Sequence, residues 1–323
     1  MAENSRTLLR TAFTLAFVFL AAGYVPARAQ SVLTGDWTAS LVQEKSDKQE
    51  KSETWEKSLK SGKSDGLNLN LERRTERGGR NRMGQTYDFA ELQGLSREQV
   101  LSGGPVKFSI VREAGTIECE GSFQNGKGSG TFRFTGNQGF ISAMKSRGFD
   151  FEQTSWKADD GRDREDKLFA AATLNVTTAL ADDLLSADFG RLDVDDLFKA
   201  AIFKVDSKFM REMKASGFPG LGMEELVKAR IFKIDAEYVK QAAQMGFDKE
   251  PFESLVKMRI FKVTPEFIAE VRNEGLSGLS VEDLVKMRIF KIDADFIRRA
   301  KADGVPLDVE ELVQMRIGVR RKY

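Results

Sequence analysis

The chain has 323 residues, 41% of them hydrophobic, and its 50 Lys and Arg balance 49 Asp and Glu to a formal charge of +1. Length and apolar content suffice for two domains with cores, while near-neutrality argues against bulk nucleic-acid binding, which needs an excess of cations. There is no histidine, which removes the commonest general base, the Ser-His and Cys-His nucleophile pairs and most catalytic zinc sites.

In chain order, residues 1–29 read as a cleaved secretory signal. Arg6 and Arg10 precede an apolar run from Thr11 to Val25, and Ala27-Arg28-Ala29 puts small residues at minus three and minus one before Gln30. The run is short for a membrane span, which takes about 20 residues, so no span is expected after cleavage; a retained anchor is the alternative. Losing Glu3, Arg6, Arg10 and Arg28 takes the formal charge from +1 to −1. The predicted location is periplasmic or secreted. The one cysteine, Cys119, permits no intramolecular disulfide in that oxidising compartment, so stability must come from packing.

Residues 30–134 carry strand periodicity. Trp37, Ala39 and Leu41 alternate with polar residues, as do Leu67, Leu69 and Leu71, and VKFSIV at 106–111 leads through a turn into TIECEGSF. Ile117, Cys119 and Phe123 share one face of that strand, which makes Cys119 a small buried hydrophobe. Asn125-Gly126 before GTFRF at 130–134 is a strong hairpin signal. These features predict an antiparallel meander of five or six strands, one face polar and the other covered by helix or a second layer. The stretch 43–66, rich in Lys, Glu and Ser with Trp55 its one large apolar side chain, is predicted to be a mobile charged loop. Arg73, Arg74, Arg77, Arg80 and Arg82 surround a Gly-Gly turn that is either a solvated hairpin tip or a site for an anion.

Residues 135–323 change to helical periodicity. IFKVD at 202, IFKID at 231, IFKVT at 260 and IFKID at 289 recur every 29 residues and define regular repeats 202–230, 231–259, 260–288 and 289–316. An atypical unit containing Phe140, Ile141, Met144 and Gly148 and a degenerate one at 173–201 precede them. In the copy at 260–288, Thr264 is an N-cap, Pro265 suits the first helical position, and Phe267, Ile268 and Val271 form an apolar stripe that Gly275 ends. Ser280 then caps a helix with Val281, Leu284, Val285 and Ile289 as apolar positions and Glu282 and Lys286 as an i,i+4 pair. The fold class is therefore α+β: a meander sheet followed by a short solenoid of αα-hairpins.

Stacking puts Lys204, Lys233, Lys262 and Lys291 in one row, and Arg230, Arg259, Arg288 and Arg316 in another. Such rows either hold an acidic peptide or anionic polymer, or neutralise helix C-terminal carbonyls and pair with acids of the next unit. GKGSG at 126–130 joins two strands, whereas a phosphate loop opens a helix. The acidic pairs Asp182-Asp183 and Asp195-Asp196 sit in or beside helix starts, which leaves a carboxylate-only hydrolase as a minor alternative. No metal site and no cofactor are expected.

The stretch SGGPVKFSIVREAGTIECEGSFQNGKGSGTFRF, 102–134, followed by repeats reading MRIFKVTPEFIAEVRNEGL, resembles a family of exported bacterial repeat proteins. Similar repeats occur outside the catalytic part of membrane metallopeptidases of the beta-lactam-sensor type. The resemblance covers most of 100–323. The family position that often reads Ile-His-Gly is here Phe232-Lys233 or Phe261-Lys262, so a role of that histidine does not transfer. The peptidase's zinc-binding helix and membrane spans are absent, and its catalysis is not carried over. The resemblance implies an extracytoplasmic sensing or scaffolding module. The combined expectation is a non-enzymatic protein- or peptide-binding scaffold of the cell envelope, without nucleic acid as a partner; the alternative is a soluble regulatory partner of a membrane sensor or peptidase.

Overall fold

Alternating apolar and polar side chains build a six-stranded antiparallel sheet in the computed structural model, which describes residues 32–42, 66–74, 80–152, 164–187 and 190–319. The predicted signal, residues 43–65 of the predicted charged loop, Arg77 and most of the charged segment after Glu152 lie outside the described residues. The strands are β1 (Val32–Leu41), β2 (Gly66–Arg74), β3 (Arg80–Asp88), β4 (Gly104–Arg112), β5 (Gly115–Gln124) and β6 (Lys127–Gly136). Their order, β3-β2-β1-β6-β5-β4, sets two three-stranded meanders side by side through β1 and β6. The chain passes from edge strand β3 to edge strand β4 through a 3-10 turn and α1 (Arg97–Ser102), which bring Leu92, Leu95 and Val100 into the core.

Pairing register decides which side chains meet in that core. Trp37 lies opposite Leu71 and Gly130, and Cys119 lies between Phe108 and Phe132. The Trp37 ring packs against Phe108 at 5.4 Å and Phe123 at 5.5 Å, and its indole N–H donates to the Glu120 carbonyl at 3.2 Å. Room for it comes from glycine: a Cβ on Gly121 would stand 2.6 Å from the indole. Asn125 and Gly126 both have positive φ, the pair of left-handed residues that a two-residue hairpin needs. Arg80 and Arg82 pair with Glu72, while Arg73 reaches Asp166 on a helix beyond the sheet.

Helices cover the apolar face and then continue past it. In order they are α2 (Gln138–Lys145), α3 (Arg164–Thr173), α4 (Thr178–Leu185), α5 (Val194–Phe203), α6 (Ser207–Ala215), α7 (Met223–Ile231), α8 (Ala236–Gln244), α9 (Phe252–Ile260), α10 (Pro265–Asn273), α11 (Val281–Ile289), α12 (Ala294–Ala302) and α13 (Val309–Arg316). α3 seals the sheet. Phe169 stacks on Phe132 at 5.2 Å and meets Phe134 edge-on at 5.3 Å, and Thr173 accepts from the Tyr87 hydroxyl at 3.2 Å. Among the described residues no single helix is long and apolar enough to cross a membrane.

From α3 onward the helices alternate between two kinds. Odd-numbered helices α5 to α13 carry the Leu-Val or Leu-Phe core pair, and even-numbered helices α6 to α12 carry the aromatic stripe. Phe140, Ile141 and Met144 of α2 are buried like Phe267, Ile268 and Val271 of α10. The predicted caps are in place: Thr264 accepts from the Phe267 amide at 3.3 Å and Ser280 from Asp283 at 3.1 Å. Three details differ from expectation. Ile289 is 51% exposed, because it falls at the margin of the stripe in the last turn of α11. Glu282 and Lys286 do not pair with each other; each reaches a neighbouring unit instead. Asp182 and Asp183 lie in the second half of α4, not at its start.

Two tests follow from this packing. Cys119 is 3% exposed and burial pushes its thiol up to about 12, so the native protein should not react with Ellman's reagent at pH 8, and the labelling rate should track unfolding. Asp183 accepts from the Ser207 hydroxyl at 2.7 Å and amide at 2.8 Å, which hold its carboxyl below the ordinary 3.8. A depressed folded value means full stabilisation above the unfolded value and loss as pH falls through the folded one. Acid titration of stability should therefore show a shallower drop below about pH 4 in Asp183→Asn than in wild type.

Candidate functional site

The turns after the odd-numbered helices gather the residues that sequence singled out. Each such turn closes by a bond from a buried residue back to the helix, Val205 to Ala200, Ile234 to Ala229, Val263 to Met258 and Ile292 to Met287, at 2.8 to 3.0 Å. That six-to-one bond requires a left-handed residue just before the buried one. The left-handed residues are Lys204, Lys233, Lys262 and Lys291, with φ of 58°, 53°, 53° and 51°. Asn175 occupies the equivalent place after α3, and Gly318 does so after α13, one residue early. The helices α2, α6, α8, α10 and α12 end in the same motif on Gly148, Gly217, Gly246, Gly275 and Gly304.

The arginine row folds back onto the array. Arg230 lies over the Phe209 ring and Arg259 over Tyr238, both at 3.7 Å, while Arg288 covers Phe267 at 4.7 Å and Arg316 covers Phe296 at 4.8 Å. From there three of the guanidinium groups donate to the turn that opens their own repeat and ends the preceding odd-numbered helix. Arg259 reaches the Lys233 carbonyl at 2.9 Å, Arg288 the Phe261 carbonyl at 3.0 Å, and Arg316 the Phe290 and Lys291 carbonyls at 2.9 and 3.0 Å. Arg230 instead stands 3.9 Å from Asp206. Arg259, Arg288 and Arg316 thus each clamp an aromatic ring of their own repeat and the C-terminal turn of the odd-numbered helix before it, by cation–π contact and by capping, while Arg230 shares the ring contact.

A second lysine row, not distinguished in the sequence, takes up the inter-unit charge pairing. Lys199 meets Glu224 at 2.5 Å, Lys228 meets Glu253 at 2.7 Å, Lys257 meets Glu282, and Lys286 meets Glu310 at 3.1 Å. Glu253 and Glu310 hold the Lys228 and Lys286 ammonium groups above the usual lysine value. The signal was present as a Lys in every LVK phrase and a Glu at the next helix start, but only stacking brings them together. Among the described residues Lys204, Lys262 and Lys291 make no ion pair.

Apolar side chains stand beside this outer lysine row. Ile202 is 40%, Ile260 48% and Ile317 55% exposed, and the adjoining Phe203, Phe232, Phe261 and Phe290 are half-buried. Between the turns after α9 and α11 lies a cleft of about 480 Å³ bordered by Ile260, Phe261, Lys262, Met287 and Lys291. A larger concavity of about 770 Å³ lies over the polar sheet face, where Lys107 pairs with Glu120 at 3.0 Å. The acidic pairs are engaged elsewhere: Asp182 takes both bonds of Arg147 at 2.7 and 2.9 Å, and Asp196 closes a capping box with Asp193. No group of His, Cys, Asp and Glu among the described residues has the arrangement of a metal site.

Comparison with known protein families, with curated proteins and with solved structures finds no match.

The two rows should respond oppositely to substitution. Arg288→Ala removes a ring contact and a cap and should lower stability by about 1–2 kcal/mol, whereas Lys262→Gly relieves a left-handed lysine and should raise it by about 0.5–1 kcal/mol. Urea unfolding of both variants checks this; an equal loss in the two would contradict the division of roles.

Proposed function

We propose that the protein is an exported, non-enzymatic repeat protein that acts as a protein- or peptide-binding scaffold or sensory module of the cell envelope. The observation that carries this reading is the repetition of one Ile-Phe-Lys phrase at successive turns, its lysine side chains exposed and its isoleucines exposed or half-buried, while its backbone carbonyls enter the bonds that hold the array together. Repeated identical surface elements multiply weak contacts into useful affinity without a deep pocket. The layout of Arg6, Arg10, the apolar run and Ala27-Arg28-Ala29 supports export, and the missing histidine together with the engaged carboxylates supports binding over catalysis.

The test uses the full-length tagged chain in its own cells, with a photoreactive residue at Ile289 or, as control, at Glu118 on the sheet. Export predicts a secreted or periplasmic product beginning at Gln30, and scaffolding predicts one discrete adduct from position 289 only. A membrane sensor or peptidase in that adduct would specify the scaffold as its regulatory partner. Retention with an intact Met1 overturns export, and irradiation without any adduct overturns the scaffold.

A further inference from the structure

The outer lysines occupy positions at which the backbone prefers another residue. A left-handed conformation costs a side-chain-bearing residue about 1–2 kcal/mol, glycine avoids that cost and asparagine reduces it. The same six-to-one turn uses glycine at Gly148, Gly217, Gly246, Gly275 and Gly304, and Asn175 or Gly318 in the outermost units. Only the regular units set lysine there, four times over. The favourable field of a helix C-terminus is already met by Lys228 and Arg230, Lys257 and Arg259, or Lys286 and Arg288 in the last turns. Ion pairing within the chain does not account for Lys204, Lys262 and Lys291 either, because the inter-unit pairs use the other lysine row. The carboxylates two residues on, Asp206, Asp235 and Asp293, are turned to the first amides of the following helices at 2.8 to 2.9 Å. At Lys262 and Lys291, where both accounts are already met by other residues, strain without an internal return points to an external partner.

Two features define that partner. Beside each lysine stands an exposed or half-buried isoleucine and a half-buried phenylalanine, so the surface asks for an apolar and an anionic group together. Packed helices lie about 8–10 Å apart, which sets the step between successive Ile-Lys pairs. A polyproline II chain repeats every third residue, at about 9.3 Å, and presents those residues on one face. A β-strand returns to the same face at about 6.7 or 13 Å and misses this step. An α-helix matches it only once in about two turns and needs a trough about 10 Å wide, whereas the cleft between Ile260 and Lys291 spans one pair of turns.

We propose that the Ile-Lys ladder is the docking site for an extended, polyproline II-like segment of another protein carrying an acidic and an apolar residue in every three. This rests on the scaffold reading above and names its ligand. Such a segment is ordered before it binds, which keeps the entropy cost of docking low.

The probe is a fluorescent (Pro-Glu-Leu)5 peptide titrated with the full chain and followed by anisotropy. The decisive variant replaces Lys204, Lys233, Lys262 and Lys291 by Asn, the residue already used at Asn175, so its unfolding midpoint should stay at or above that of wild type. Expected are saturable binding that weakens with salt, a loss of at least tenfold in the four-Asn variant, a similar loss in Ile260→Ser/Ile289→Ser, and no binding of (Pro-Lys-Leu)5. Equal binding by wild type and the four-Asn variant overturns the proposal. So does equal or tighter binding of polyglutamate, which would make the occupant a simple polyanion, or tighter binding of a helical peptide with Glu and Leu at every seventh position. Absence of peptide binding while Ile289 still crosslinks one protein in cells overturns this ligand and leaves the scaffold standing; absence of both overturns the two together.

Discussion

A helix of nine residues does not hold itself in water, because its few internal bonds barely repay the cost of nucleation. Every helix from α5 to α13 is of about this length, so the array exists only through what each unit receives from the one before it. The arginine clamp supplies one such link, because the turn it holds ends a helix of the preceding repeat. Arg259, Arg288 and Arg316 each cover an aromatic ring and occupy carbonyl oxygens that the preceding helix leaves unbonded. The buried Leu, Val and Met side chains add area, and the Lys-Glu pairs at the surface add at most about 1 kcal/mol each. At the sheet end the array is seated through α3, by Phe169 and the Arg73–Asp166 pair.

The sheet provides that seat by its shape. Its core face sets large rings against glycines in register, Trp37 against Gly130 and Phe123 against Gly128, so the rings lie in backbone troughs rather than on top of neighbouring side chains. The resulting surface presents Phe132 and Phe134 to α3 and leaves the opposite, polar face to solvent.

Much of this was legible because it is local. Alternation at Trp37, Leu69 and Ile117 announces strands, Asn125-Gly126 announces a hairpin, and Thr264, Pro265, Gly275 and Ser280 mark helix ends through bonds made within four residues. The pairing of β1 with β6 was not legible, since it joins residues about a hundred apart in the chain and nothing in either strand names its partner. Nor was the use of each lysine. Lys257 and Lys262 are the same residue type five positions apart; one ends in an ion pair with Glu282 and the other in a left-handed turn, and the difference appears only when helix ends and neighbours have coordinates. The arginines gave a mixed signal: their place near a helix C-terminus was readable, but the ring beneath and the carbonyl of the preceding turn were not.

The regular recurrence of the clamp also governs how this chain tolerates changes in length. An insertion or deletion of one whole 29-residue period carries an arginine, its ring and its turn together, and the flanking units meet surfaces they already fit. The last repeat, 289–316, is one residue shorter in the loop between its helices, and Arg316 still reaches the Phe290 and Lys291 carbonyls, so small changes of length are absorbed in that loop. Gene duplication in this region thus has a natural quantum, and the reach of the outer face can lengthen or shorten by whole steps while the sheet that anchors it stays unchanged.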